Sequence, residues 1–400
     1  MVSAHSVRSR TITTMTGPVR VRRAYHYCRA CRRGWHPADQ ALGLGRQTTS
    51  MAVDKAVTAA AREMPFARAA GLLQEITGEM VVAARTADRI AKRSGAAARA
   101  LIEADTARVA CAGPGAYRRR WDPGATAYVF ADGTGLPMVP TQTAGRPGKQ
   151  PDGSAKTREV KIGRLSTQTR CDRHGQPVLD PDSTSYVATF NQAEGFTCDI
   201  AAEAVRRDFA RAPRLAVIAD GATWIWNLAD KLWPHATQIV DYYHAAEHVH
   251  DLAKLLRPHL GQPGPDPEEF TDKLKDHLYH GRIQALATMA RAVPLPDQDT
   301  KDQVATALGY FTKNWFRMRY AQFRAQNLCI GSGAVESACK NLAEARAAQS
   351  GMRWTINGAD PILALRALHR STHQAPGDQT SRYNQIWERT IPKTTHPTPA

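Results

Sequence analysis

Residues 214–256, RLAVIADGATWIWNLADKLWPHATQIVDYYHAAEHVHDLAKLL, decide how the chain folds. RLAVIAD is a short β-branched, apolar run that stops at Asp220-Gly221, and TQIVD is a second such run. Between and after them, WIWNLADKLW and YYHAAEHVHDLAKLL carry apolar residues at helical spacing. Strand, helix, strand and helix in that order predict an α/β layer. Upstream, TAYVFAD (126–132), GLPMVP (135–140), EVKIGRLST (159–167) and SYVATF (185–190) read as four strand segments, and a helix is expected over 199–211. The basic loop RPGKQPDGSAKTREVK lies between the second and third of these strands. Strands first and alternating elements afterwards is the order of the ribonuclease-H architecture, so the expected fold is a mixed sheet flanked by helices.

Three glycine-flanked motifs each hold an acid: Asp132 in FADGTGLP, Asp220 in VIADGATWIWNLAD and Glu336 in GSGAVESACK. The aspartates are expected at strand tips, and the glutamate at the start of a helix after a glycine turn. Mg²⁺ or Mn²⁺ is a hard ion held by a few carboxylates, and two such ions can clamp both oxygens of an in-line phosphodiester displacement. Taken singly, Asp-Gly after a strand is a turn, and Glu336 is a carboxylate favoured by a helix N-terminus. The reading rests on the three acids together with what precedes them.

What precedes them is basic. The chain has 53 Lys+Arg against 37 Asp+Glu, a net charge of +16, which points to a polyanionic partner such as nucleic acid. Residues 1–45 read as a β-hairpin, TITTM and VRVRRAYHY joined by Thr16-Gly17-Pro18, followed by YHYCRACRRGWHP. Cys28 and Cys31 are half of a zinc site; His26 and His36 are the candidates to complete it, the alternative being two reduced thiols. Across 46–110, Phe66, Ala69, Ala70, Leu73 and Ile76, a Thr77-Gly78 break, and then Val82, Thr86 and Ile90 suggest two short helices about a glycine turn. In a helix-turn-helix, the second would turn Arg85, Arg89, Lys92 and Arg93 toward phosphates or base edges; a helical hairpin with a solvated basic face is the plainer alternative.

The other cysteines are scattered, which argues against a disulfide framework. No apolar run approaches the ~20 residues of a membrane span, and MVSAHSVRSR lacks a signal peptide's apolar stretch, so a cytoplasmic, nucleoid-associated protein is expected. Segments 122–256 and 331–372 would form the catalytic domain, interrupted by an all-α insertion over 257–330. The Thr- and Pro-rich tail, 373–400, is expected to be mobile.

FADGTGLPM, ADGATWIWNLADKLWPHATQIVDYYHAAEH, GSGAVESACK and SGMRW, in that order, resemble the DDE transposases of bacterial insertion sequences, in the ISKra-type group related to Mutator-like enzymes. The resemblance spans residues 17–370. It implies a ribonuclease-H-like catalytic domain with a helical insertion ahead of the catalytic glutamate, and Asp132, Asp220 and Glu336 as holders of Mg²⁺ or Mn²⁺. It further implies binding of duplex DNA at the element's terminal inverted repeats and at a target, in a dimer or larger synaptic complex. Asp241 and His244 match a D/C-x-x-H motif, placing His244 near the site on DNA or an acidic ligand, or in the core. Arg353 is then a candidate phosphate contact, and Trp354 either stacks on a base or packs in the core. Members of the group usually carry a further cysteine pair upstream of the hairpin; this chain starts too late to have it, which points to truncation or a start set downstream. Two rival functions remain. His244-Ala245-Ala246-Glu247-His248 spells the H-x-x-E-H zinc signature of inverted metallopeptidases, and a transposase descendant that binds DNA without cutting would keep much of this sequence.

Overall fold

The computed structural model describes residues 2–45, 47–112, 116–261, 265–331, 333–373 and 381–388, with the backbone alone described at 2–5, 40 and 334–336. It begins with an antiparallel ribbon. β1 (Val2–Thr14) and β2 (Gly17–Cys28) pair from Val2↔Cys28 to Thr14↔Gly17, and Gly17 takes the positive φ that this turn requires. β3 (Arg33–Trp35) extends β2 through His26↔Trp35, and the short α1 (Pro37–Ala41) follows.

Three helices come next: α2 (Met51–Ala61), α3 (Phe66–Thr77) and α4 (Ala84–Ala112). Ser50 caps α2, Gly78 ends α3 in the left-handed region, and Val53, Val57, Leu73, Val82 and Ile90 close a small core among them. The second helix of the expected pair is not short; α4 runs 29 residues. Gly95 does not stop it, because its bare Cα is where Pro361 crosses: a Cβ there would run into the Pro361 carbonyl. Ile76, expected on the apolar face, is exposed.

The central sheet has the order β10-β9-β4-β5-β8, built from β4 (Thr126–Pro137), β5 (Thr157–Gln168), β8 (Ser185–Thr189), β9 (Arg214–Ala219) and β10 (Thr237–Val240). A separate two-stranded hairpin, β6 (Arg170–Cys171) and β7 (Pro177–Val178), follows β5. β5 pairs antiparallel with β4 and β8 antiparallel with β5, whereas β9 pairs parallel with β4 and β10 parallel with β9. α5 (Ala193–Arg206), α6 (Thr223–Leu232) and α7 (Tyr242–Leu256) flank this mixed sheet, and residues 127–131 of β4 are completely buried, which is why that strand reads as an unbroken apolar run.

Two expectations need correction. TAYVFAD and GLPMVP form one strand, because Gly133 and Gly135 stay extended against Lys161 and Glu159 of β5. The helix expected over 199–211 starts earlier, at Ala193, seated by the buried Phe196, and Asp208 at φ 57° marks its end.

After α7 the chain is helical, as expected for 257–330: α8 (Pro267–Tyr279), α9 (Ile283–Arg291), α10 (Gln298–Asn314) and α11 (Tyr320–Ala325), with α8 and α10 packed on α7. It returns through α12 (Gly333–Ala338), a π-helical turn at Cys339–Glu344, α13 (Ala345–Ala347) and α14 (Ile356–Arg370). The expected mobile tail contains α15 (Arg382–Glu388), held by burial of Ile386 and Trp387 and by Arg382 bridging Asp105 and Glu203. No helix among the described residues is long and apolar enough to cross a membrane.

Candidate active site

The parallel ladder β10-β9-β4 ends on one row. Val240 pairs with Ala219, and Ala219 with Ala131, so the next residues of the three strands are Asp241, Asp220 and Asp132. The strand-tip expectation is right for Asp220 and wrong for Asp132. β4 continues to Pro137 because β5 accompanies it, and Asp132 stands instead where β9 leaves its side. Asp220 begins a turn. Its Oδ1 accepts from the Ala222 amide at 2.9 Å, and Gly221 beside it sits at φ +107°. Asp241 is spent locally, its Oδ1 accepting from the Tyr243 amide at 2.6 Å to cap α7.

Asp132 is also reached by the last helical segment. α12 packs on β4 and β5, and the Cys339 thiol donates to Asp132 Oδ2 at 3.3 Å, while the Gly133 amide donates to Oδ1 at 2.6 Å. Thr134 Oγ1 donates to Glu344 Oε1 at 2.6 Å, so the π-helical turn is pinned to β4 at two points. Arg366, fully buried, donates its Nε to the Leu342 carbonyl at 2.7 Å and reaches that of Asn341, taking up carbonyls of the π turn. The side chain of Glu336 lies outside the described residues. Its backbone is in α12, three residues before Cys339.

Burial pushes the Asp132 carboxyl above the ordinary aspartate range; the Cys339 and Gly133 hydrogen bonds oppose this, the Asp220 charge adds to it, and His244 partly offsets it. Burial, and then the Asp132 charge, push the Cys339 thiol up, so it stays a donor. Two carboxylates in a half-buried row, one of them reluctant to ionise, suit a cation that would relieve both. Carboxylate oxygens are the ligands that hard ions such as Mg²⁺ or Mn²⁺ take, and the row supplies two such side chains.

His244 and His248, one turn apart on α7, bring their Nε2 atoms to 3.3 Å. His248 stacks on Tyr310 of α10 with ring centroids 3.9 Å apart, and its pKa is lowered by burial and then by His244. The Tyr310 hydroxyl donates to the Asp220 carbonyl at 3.0 Å. The helical segment therefore touches the aspartate row through Tyr310, a residue that sequence reasoning missed; nothing in GYFTKN marks it. Glu247, the base of an H-x-x-E-H site, is largely exposed and lies 3.6 Å from His244 Nδ1. Among the described residues, no group of three or more His, Cys, Asp or Glu is placed to hold a metal ion.

The remaining candidates divide. Arg85 and Arg89 are exposed near the start of α4. Lys92 is paired with Asp88 at 2.8 Å and Arg93 with the buried Asp54 at 2.5 Å, so both also have structural duties. Arg353 is exposed, whereas Trp354 is buried, its Nε1 donating to the Ala347 carbonyl at 2.9 Å. Cys28 and Cys31 close the ribbon's far end as free thiols, and the Cys31 amide and thiol draw the Cys28 pKa down. His26 leans on Trp35, and His36 Nδ1 lies 3.1 Å from the Ala24 carbonyl. Comparison with protein-family models and with curated proteins gives no match to this chain.

Proposed function

We propose that this chain is a DDE-type DNA transposase with a ribonuclease-H-like catalytic domain. One observation carries the proposal: Asp132 and Asp220, distant in sequence, follow adjoining parallel strands in the same register row, and the segment bearing Glu336 is bonded to Asp132 through Cys339. The sheet supports it. An antiparallel β4-β5-β8 meander, with β9 and β10 added in parallel on the other side of β4, is the strand order of that fold. The helical segment before Glu336 stands where the family resemblance puts its insertion.

In this reading Asp132, Asp220 and Glu336 would hold Mg²⁺ or Mn²⁺, which when bound supplies the Lewis acidity for in-line displacement at phosphorus. The chain's own contribution is placement. Gly133 N–H and the Cys339 thiol orient the two oxygens of Asp132, and the Ala222 amide orients Asp220. Tyr310 fixes the Asp220 backbone, and His244 opposes the rise in the Asp132 pKa. The reaction class is hydrolysis of a phosphodiester at an element end to free a 3′-hydroxyl, followed by attack of that hydroxyl on target DNA. The exposed Arg85, Arg89 and Arg353 are the proposed phosphate contacts, Lys92 and Arg93 lie beside them, and two ends are brought together by two or more chains.

The test is nicking of a labelled duplex carrying the element end, with Mg²⁺ or Mn²⁺ as the variable. Metal-dependent cleavage by the wild type, lost in Asp132→Ala and Asp220→Ala with end binding kept, is expected. Binding without cleavage by every form would leave a DNA-binding protein and remove the catalyst.

A further inference from the structure

The first thirty-eight residues contain eight arginines, no lysine and no acidic residue. The ribbon sorts these arginines by face. Arg10 and Arg23 lie on the face that meets α1: both pair with Asp39, the first acid in the chain, and Arg10 also donates to the Gly45 carbonyl at 2.8 Å. Arg8 of that face lies over the Tyr25 ring, 4.9 Å from its centroid. The opposite face alternates with it along both strands, as a pleated pair requires. There Arg20 stands across from Thr11 and Arg22 across from Ser9, all exposed, and the β2–β3 turn adds exposed Arg29, Arg32 and Arg33. None of these five arginines has a carboxylate within salt-bridge distance among the described residues.

A single acid therefore serves one face and none serves the other, although both faces carry arginine. Leaving five guanidinium groups unneutralised on a ribbon is unfavourable self-repulsion unless a polyanion covers it. Arginine throughout, with no lysine, suits the fork geometry of phosphate oxygens, and the hydroxyls of Ser9 and Thr11 are further donors of the kind that meet DNA backbones. A two-stranded antiparallel ribbon is also one of the shapes that fit the major groove of duplex DNA. The turn end of the ribbon meets the α3–α4 connection, with Met15 packed on the same small core as Val81, and Arg85 and Arg89 are exposed at the start of α4 that follows.

We infer that the outer face of the β1–β2 ribbon, through Arg20 and Arg22 and the turn arginines Arg29, Arg32 and Arg33, binds the phosphate backbone of duplex DNA as a second contact beside α4. This deepens the proposed function and rests on it for the identity of the polyanion.

The experiment is fluorescence anisotropy of the full chain with a mixed-sequence duplex over a salt series, comparing wild type, Arg20→Glu/Arg22→Glu, and the charge-matched Arg291→Glu/Lys301→Glu in the helical segment. The ribbon variant is expected to bind at least about tenfold more weakly, with the slope of log affinity against log salt reduced by about 2, and the control to be unchanged. Unchanged thermal melting of both variants shows that the fold is kept. Wild-type binding with equal affinity and slope in the ribbon variant and the control overturns the ribbon contact while leaving the transposase reading intact. A wild type that binds no duplex at any salt sinks both. Loss confined to single-stranded RNA or to anionic lipid vesicles, with duplex binding kept, assigns the face to that partner and overturns the inference.

Discussion

The same dipeptide, Asp-Gly, occurs at two of the three aspartates of the row, Asp132 and Asp220, and folds in two ways. Asp132-Gly133 lies extended inside β4, with β5 hydrogen-bonded alongside, whereas Asp220-Gly221 leaves β9 in a turn with Gly221 at φ +107° and the Tyr310 ring against it. What differs is the neighbour. A partner strand holds Gly133 flat; at Gly221 the ladder has ended, and an aromatic ring from α10 fills the space that a Cβ would occupy. Asp-Gly thus specifies permission to turn, and tertiary contact decides whether the turn is taken.

The sharpest way to break the comparison is to neutralise each aspartate in turn. On the proposed function, Asp132→Asn and Asp220→Asn should each lower metal-dependent strand cleavage by roughly a hundredfold or more, since either would remove a charged ligand from a site that would work by electrostatic stabilisation. They should differ in stability. Asp132 has a raised pKa, so the folded chain holds its proton more tightly than the unfolded chain does. The stability linked to that group is fully present below the ordinary aspartate range and is lost as pH rises through the raised value. Metal-free Asp132→Asn should therefore melt higher than wild type at neutral pH and lose the pH dependence across that window. Asp220→Asn should gain nothing, because a neutral amide oxygen accepts from the Ala222 amide less strongly than the carboxylate does. Equal melting shifts for the two variants would remove the claimed asymmetry.

Substituting the glycines sharpens it further. Gly221→Ala places a side chain at positive φ with its Cβ 2.9 Å from Tyr310 Cε2, and should cost about 2–3 kcal/mol in urea unfolding. Gly133→Ala meets only the end of the Glu159 side chain, which is half exposed and can swing away, so about 1 kcal/mol or less is expected. A reversed order would show that the turn, not the strand, tolerates a Cβ.

How far the sequence discloses this arrangement follows from the same contrast. β9 and β10 are legible as short unbroken β-branched, apolar runs and α6 and α7 by apolar residues at helical spacing, and α7 spans the residues read as YYHAAEHVHDLAKLL. β4 was divided at Gly133-Thr134-Gly135, and α4 was cut short, because a glycine that admits a neighbouring strand or helix looks in sequence like one that ends an element. The aspartate row was legible as two motifs and a resemblance. Tyr310, Cys339 and the buried Arg366 were not, since their roles depend on carbonyls and carboxylates supplied from up to 207 residues away. Within the tail expected to be mobile, residues 374–380 and 389–400 lie outside the described residues, and α15 is not legible for a related reason: composition flags Thr and Pro, but two buried side chains and one arginine between two acids hold this helix.

Smaller effects separate orientation from charge. Tyr310→Phe keeps the ring on His248 and deletes one hydrogen bond to the Asp220 carbonyl, so about 1 kcal/mol of stability should be lost. The more telling readout is a higher Mg²⁺ concentration for half-maximal cleavage with DNA affinity unchanged, which a merely structural tyrosine would not produce.

The slightest change is at Cys339. Cys339→Ser keeps a donor to Asp132 Oδ2 and should be within about 0.5–1 kcal/mol of wild type, while Cys339→Ala withdraws the bond that opposes the raised Asp132 pKa. In the alanine variant the carboxyl should hold its proton to higher pH, so the acidic limb of the cleavage profile should move upward, and the serine variant should restore it. That limb, measured on three proteins differing by one atom or one group, isolates what the strand-bound aspartate owes to the helical segment.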